Sequence, residues 1–277
     1  MSEPIHLEQV SPHCVAAIDP RLGSNAAAVI LENFIVLVDA GMRPYAARLF
    51  KQTLEGKFRL PVKFACVTHY HHDHTFSLSG LKDVTLFASA QLAENMRTSP
   101  DWTPEAFERW RQGEEDGGKW LEEAEFIIPP LLFHGTLDIL DQGKAVEFHH
   151  AGGHTSDSVY GYYPEEKVLF AADLLFSERF PFAGDTGCDP EKWMSALHTW
   201  LTLDIEKVIP GHGPVCGMDE VKRALEFMEK MKANTLDTIV AGGVDVEIPL
   251  PDTYPITEHA AWFAERTRKR WFEFYKG

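Results

Sequence analysis

The chain has 277 residues, 44% hydrophobic and 25% charged, which fits a globular enzyme of one large domain or two modest ones. Its formal net charge of −16 argues against a nucleic-acid partner, whose phosphates call for a basic face. A small anionic substrate stays open, because a bound metal ion can outweigh the surface field locally.

Cys14, Cys66, Cys188 and Cys216 are widely spread with no CxxC spacing, so they read as reduced thiols and not as a disulfide framework. The opening "MSEPIHLEQVSPHC" shows no basic stretch leading into an apolar one, so no secretory signal is expected. No apolar run approaches the roughly 18 residues of a membrane span. The expectation is a cytoplasmic protein without a membrane partner.

In chain order, "CVAAID", "AAAVILEN" and "FIVLVDAG" are short apolar runs closed by turn formers, and each predicts a strand. "RPYAARLFKQTLEG" spaces Ala46, Leu49, Phe50 and Leu54 on one helix face and predicts a helix ending at Gly56. "VKFACVTH" and "VTLFAS" are the next strands, so strand and helix alternate as in a layered α/β protein. From about 91 to 126 the chain turns charged and helical and carries Trp102, Trp110 and Trp120. This reads as a helical insertion packed onto the core by its tryptophans, with a lid over substrate as the alternative.

Strands resume in "TLDIL", "KAVEFHHAG", "SVYGYYP" and "KVLFAADLLF", followed by a helix in "DPEKWMSALHTWLTL" and a short strand, "KVIPGHG". Helices then occupy about 218–277. One starts at Asp219 as N-cap, with Val221, Leu225, Met228 and Leu236 on one face. The last, "TEHAAWFAERTRKRWFEFYKG", mixes aromatic and basic residues. Its tryptophans are expected against the core or a second subunit, which makes a homodimer one expectation.

The chemistry concentrates in His69-Tyr70-His71-His72-Asp73-His74. A strand continued through His69 and His71 would point both to one side, where they can grip one metal. Asp73 and His74, after the chain turns, can reach a second ion. Histidine with aspartate suits Zn, Fe or Mn, and the lack of nearby cysteine argues against a structural thiolate zinc site. A solvated histidine tract is the competing reading of this cluster alone. Three further donors weigh against it: His154 after Gly152-Gly153, Asp173 closing "VLFAAD", and His212 in "IPGHGP". Each stands at a strand end beside small residues, and an unpaired carboxylate at Asp173 would be costly to bury.

The ordered set "THYHHDH", "GGHTSDS", "VLFAADLLF" and "VIPGHGP" resembles the metallo-β-lactamase-fold hydrolase superfamily. "GSNAAAVI" and "VLVDAG" extend the resemblance over residues 24–215. It implies an α+β four-layer αββα sandwich, here as a single domain over 1–277, with the site at one edge. By motif position, His69, His71 and His154 would bind a first metal and Asp73, His74 and His212 a second, with Asp173 bridging. Two divalent ions, zinc foremost and Fe or Mn as alternatives, would lower the pKa of a shared water. Hydroxide is then available near neutral pH to attack a carbonyl carbon. Asp73 is also a candidate for proton transfer, and Asp39 matches a position that orients the ligand loop, with a turn-capping Asp as the alternative. His72 fills a position expected to point away from the metals. His149 and His150 read as strand residues, while His134 and His198 read as structural or exposed.

Within the family, Asp173 resembles the bridging aspartate of the glyoxalase II and lactonase branches. Phe176 stands where some lactonases carry a tyrosine, which puts the tyrosine-assisted mechanism in doubt, although Tyr70 could substitute. His71 stands where the flavodiiron branch has glutamate. The reading is a dinuclear hydrolase of a small lactone, ester, thioester or β-lactam, with residues 177–187, Trp102 and Trp110 as pocket walls. An iron oxygenase or a non-catalytic metal binder on the same scaffold are the alternatives.

Overall fold

Strands that are apolar at every position need two buried faces. In the computed structural model, which describes residues 3–113 and 118–277, two sheets packed face to face supply them. The first holds β1 (Glu8–Ser11), β2 (Cys14–Ala17), β3 (Ala26–Ile30), β4 (Ile35–Val38), β5 (Val62–Cys66), β6 (Thr85–Ser89) and β7 (Leu131–Phe133). They lie side by side in that order, antiparallel up to β4 and parallel from β4 to β7. The second holds β8 (Thr136–Asp141), β9 (Lys144–His150), β10 (Val159–Tyr163), β11 (Val168–Phe176) and β12 (Lys207–His212). Its order runs from β12 to β8 without crossing, antiparallel except for the parallel β11–β12 pair.

The helices are α1 (Pro44–Phe58), α2 (His72–Thr75), α3 (Ala90–Thr98), α4 (Pro104–Gly113), α5 (Pro190–Trp200), α6 (Met218–Val240) and α7 (Glu258–Lys276). Alternation along the strands assigns the layers. Cys14, Val36, Val38 and Phe87 of the first sheet meet Val146, Phe148, Val168 and Phe170 of the second in the core between them. The intervening residues Val15, Leu37 and Ala65 turn outward against Phe50 and Leu54 of α1 and Leu92 of α3. Leu169 and Ala171 of β11 do the same against Trp193 and Trp200 of α5, Met228 of α6 and Trp271 of α7. The result is the expected αββα sandwich.

Several local expectations are corrected. α1 runs through Gly56 to Phe58 and stops at Arg59, whose left-handed backbone (φ 61°) closes the helix in place of a glycine. α6 is capped by Gly217, so Asp219 sits inside the first turn, where its charge complements the helix dipole. Leu236 of that helix is exposed. The edge strands β1 and β7 went unpredicted because each is too short to carry a period. In the insertion, Trp102 and Trp120 gather with Met42, Phe76 and Leu121 in a small core of their own, as packing predicts, and residues 114–117 lie outside the described residues. On α7, Trp271 is fully buried against the core, as one branch of the expectation has it, whereas Trp262 is 53% exposed. Among the described residues no helix is long and apolar enough to cross a membrane.

Candidate metal centre

β5 ends at Cys66, short of His69, so strand alternation is not what brings His69 and His71 together. The chain loops after β5, and His71 stands as the residue before α2. His69 presents Nε2 and His71 presents Nδ1, 3.1 Å apart, and Nε2 of His154 lies 3.0 Å from the same His71 nitrogen. The other ring nitrogen of each is engaged. Nδ1 of His154 donates to the carbonyl of Phe182 at 2.9 Å, and Nε2 of His71 donates to Asp185 at 3.1 Å. Thr68 gives its hydroxyl proton to Asp39 at 2.7 Å, so its oxygen accepts from Nδ1 of His69 at 3.2 Å. Three unprotonated nitrogens therefore converge with their lone pairs facing one another, an arrangement that calls for a cation between them. Burial supports the neutral form of His69 and His154. It drives His69 well below the usual imidazole range and pulls His154 down to about 4. For His71, burial is outweighed by Asp185, Asp73 and Asp173, which raise it.

The second group is built from carboxylates. Nε2 of His212 lies 3.2 Å from Oδ2 of Asp73 and 3.4 Å from Oδ2 of Asp173, and Nε2 of His74 lies 3.3 Å from Oδ1 of Asp173. Burial opposes charge on Asp73 and Asp173, yet His74 and His212 outweigh it and hold both carboxylates ionised. The same carboxylates raise His212 to about 9 against its burial. His74 Nε2 and Asp173 Oδ1 are buried and make no hydrogen bond, a cost of about 1–3 kcal/mol for each such atom. A divalent cation between these groups would satisfy both atoms. The donors fall into two groups that each include Asp173: His69, His71, His154 with Asp173, and Asp73, His74, His212 with Asp173. Within each, all donor atoms lie within 4.8 Å of one another. Imidazole and carboxylate without thiolate suit Zn, Mn or Fe.

Local backbone devices aim these side chains. In β11, Leu169 and Ala171 face the helices, so unbroken alternation would send Asp173 the same way. The register with β12 slips between Phe170 and Ala172, and Ala172 takes φ 47°, a bulge that turns Asp173 toward the histidines. Gly211 makes room for it: a Cβ there would fall 1.9 Å from Asp173 Oδ1 and 2.7 Å from the carbonyl carbon of Ala172. Gly152 and Gly153 hold φ 67° and 107°, the left-handed turn that presents His154. Asp39, also left-handed at φ 59°, accepts from the Thr68 amide and hydroxyl and from Nδ1 of His74 at 2.9 Å. One buried carboxylate thereby orients His69 in one group and His74 in the other.

Three positions escaped the sequence reading. Asp185 accepts from His71 and from the Tyr70 hydroxyl, and Burial notwithstanding, those two bonds hold it at about 2. Ser24 donates to the carbonyl of Asp73, and the Asn25 side chain donates to the carbonyls of Pro210 and Gly213, clamping the turn that carries His212. A polar pair opening an apolar strand was the available signal for Ser24 and Asn25; Asp185 sits in a glycine-rich loop that offers none. Because Tyr70 is committed to Asp185, its hydroxyl is not aimed freely at the centre. Asp185→Asn keeps the shape but loses the charge on the His71 bond. Its expected effect is about a 10- to 100-fold loss of metal affinity, read by competition with a chelating dye. An unchanged affinity would remove Asp185 from the site.

The two groups form the floor of a cavity of about 1010 Å³, reached by Tyr70, His71, Asp73, Asp173 and His212. Residues 177–187 supply part of the wall, as expected, and so does Trp110, whereas Trp102 packs on Phe76 and is absent from the lining. His72 does not simply point away: it lines the cavity mouth, its ring 4.0 Å from that of Trp110. Phe176 stacks on His212 at 5.2 Å. His149 stacks on Tyr160 and His150 bonds the carbonyl of Ser156, so both serve the strands, while His134 and His198 are exposed.

An αββα sandwich whose strand ends and connecting loops gather two groups of imidazole and carboxylate around a shared aspartate is an arrangement that could hold metal ions. The model of the Metallo-beta-lactamase superfamily matches residues 19–212, and the chain belongs to that family. The linear primary-alkylsulfatase of a Pseudomonas species is 23% identical over 226 residues, which are 70% of this chain and 42% of that one. The chain spans less than half the length of the curated relatives it matches, 42% and 48%. Among solved structures, a double mutant of the sec-alkyl sulfatase PisA1 superposes with a TM-score of 0.73 at 18% identity, covering 98% of this chain and 50% of that one. A metallo-beta-lactamase from Pontibacter korlensis gives a TM-score of 0.63 at 19% identity over 81% of this chain and 99% of its own.

Proposed function

We propose that this protein is a dinuclear metal-dependent hydrolase of a small carbonyl substrate: an ester, lactone, thioester or β-lactam. The observation that carries the reading is the pair of donor groups meeting at Asp173 on the floor of a cavity wide enough for such a molecule. His69, His71 and His154 would hold one ion, Asp73, His74 and His212 the other, with Asp173 shared. Two divalent cations so held supply an acidified water and a Lewis acid for a carbonyl oxygen. Asp39 and Asp185 fix the imidazole tautomers in advance, so no ligand has to reorient during turnover. Asp73 stays ionised and lines the cavity, which makes it the candidate to take up and release the proton of the attacking water, tempered by its service as a ligand. Trp110, Phe176 and Phe182 on the cavity lining would limit water and orient the substrate.

The test is a panel of lactones, thioesters, aryl esters and β-lactams run on metal-quantified protein, with alkyl sulfates added because two of the relatives are alkylsulfatases. Turnover is expected to vanish on chelation and to return with zinc or manganese. Turnover that survives verified metal removal would sink the reading, and oxygen uptake with one iron per chain would replace it by the oxygenase alternative.

A further inference from the structure

Three arginines, Arg109 of α4, Arg179 after β11 and Arg266 of α7, line the same cavity, and no lysine does. All three are exposed at its mouth, and among the described residues none is ion-paired with an acid. In a chain of net charge −16, three guanidiniums at one rim are a local reversal of the overall charge. Of the acids on the lining, Asp73 and Asp173 belong to the metal groups, Asp185 is taken by His71 and Tyr70, and Asp101 lies 3.6 Å from His72. Glu178 alone is left to set against three guanidiniums.

Between this rim and the floor runs an aromatic wall. Trp262 stacks on Phe182 with ring centroids 5.5 Å apart and planes 6° from parallel, and Arg266 lies over the Trp262 ring at 4.9 Å. Phe182 in turn stands 5.9 Å from His71 and 6.0 Å from His154, ring to ring. A tryptophan more than half exposed inside a cavity is a surface prepared for an apolar group. The guanidinium fork matches a planar oxyanion in a way an ammonium does not.

We infer that the arginine rim and the Trp262–Phe182 wall form a substrate subsite for an anionic acyl compound. The scissile carbonyl sits at the floor, an apolar body lies on the wall, and a carboxylate or sulfate at the far end is held by Arg109, Arg179 and Arg266. The inference rests on the hydrolase reading for the scissile end only; the anion and the apolar body are bound by this chain's own side chains.

Binding and turnover test the two separately. Calorimetric titration of the metal-loaded chain with 2-naphthoate and its neutral isostere 2-naphthamide is expected to show the anion binding at least about tenfold more tightly. Naphthalene-2-sulfonate run beside them separates a sulfate-bearing from a carboxylate-bearing substrate, and preference for either anion over the amide supports the subsite. The triple variant Arg109→Ala, Arg179→Ala, Arg266→Ala should bring anion and amide to parity. Equal binding of anion and amide by the unaltered chain overturns the inference, and so does an anion preference that survives in the triple variant, since the anion would then sit on the metals. The 4-nitrophenyl monoester of succinic acid against its methylated counterpart gives the kinetic arm, where the preference should lie in KM more than in kcat. Anion preference in binding with no turnover of either ester sinks the hydrolase reading and leaves the subsite. Turnover of both esters alike, with binding at parity, sinks the subsite and leaves the hydrolase.

Discussion

Asp173→Ala is expected to lower kcat/KM on the best substrate of the panel by at least about 10³-fold, some 4 kcal/mol of transition-state stabilisation. The reason is its position. Its two oxygens lie 3.3–3.8 Å from His69, His74, His154 and His212, and no other side chain belongs to both donor groups. Removing it would take one ligand from each of the two proposed ions and leave His74 and His212 without the carboxylate they share. The fold should survive, because the truncation deletes an ionised group from a site of edge-on and tilted imidazoles and leaves the sheet cores untouched. Steady-state kinetics beside a thermal melt makes the check, and a variant within threefold of the unaltered chain in kcat/KM would show that the two groups do not act together.

Gly211→Ala adds one carbon and is expected to be nearly as damaging. The new Cβ would fall 1.9 Å from the Asp173 carboxylate and 2.7–2.8 Å from the backbone of Ala172 and Asp173. The carboxylate can swing, but the backbone at Ala172 and Asp173 is held in its register with β12 and cannot retreat cheaply. The expected outcome is loss of at least about 10²-fold in activity together with a destabilisation of about 1–3 kcal/mol, the usual cost of overpacking. Metal content measured on the same preparation separates the two effects. Full activity with an unchanged melting temperature would mean that β12 moves aside, and the account of how Asp173 is aimed would fall.

These two residues mark where sequence reasoning reaches and where it stops. His154, Asp173 and His212 were legible because a hydrophobic strand that ends on an ionisable residue is a conspicuous expense, and the fold brings all three beside the His69–His74 turn. The layers were legible as well, because runs such as "VLFAAD" are apolar at both parities and so demand cover on both faces. What aims the donors was not. The bulge at Ala172 leaves no trace in a run of small and aliphatic residues, and Gly211 looks like any turn glycine until the distance to Asp173 is known. Spacing suggested a strand through His69 and His71, whereas the chain had already left the sheet at Cys66. The mixed pattern of α7 likewise could not tell that Trp271 goes to the core while Trp262 and Arg266 face the cavity, because all three lie on a helix amphipathic only in part.

The central claim is that this chain builds two metal sites that share Asp173. Elemental analysis of the full chain, purified and then reloaded with zinc after chelation, tests it most directly. Two zinc ions per chain are expected, falling to one in His71→Ala and to one in His212→Ala, each from a different group. A single ion in the unaltered chain, or two ions retained in both variants, would contradict it.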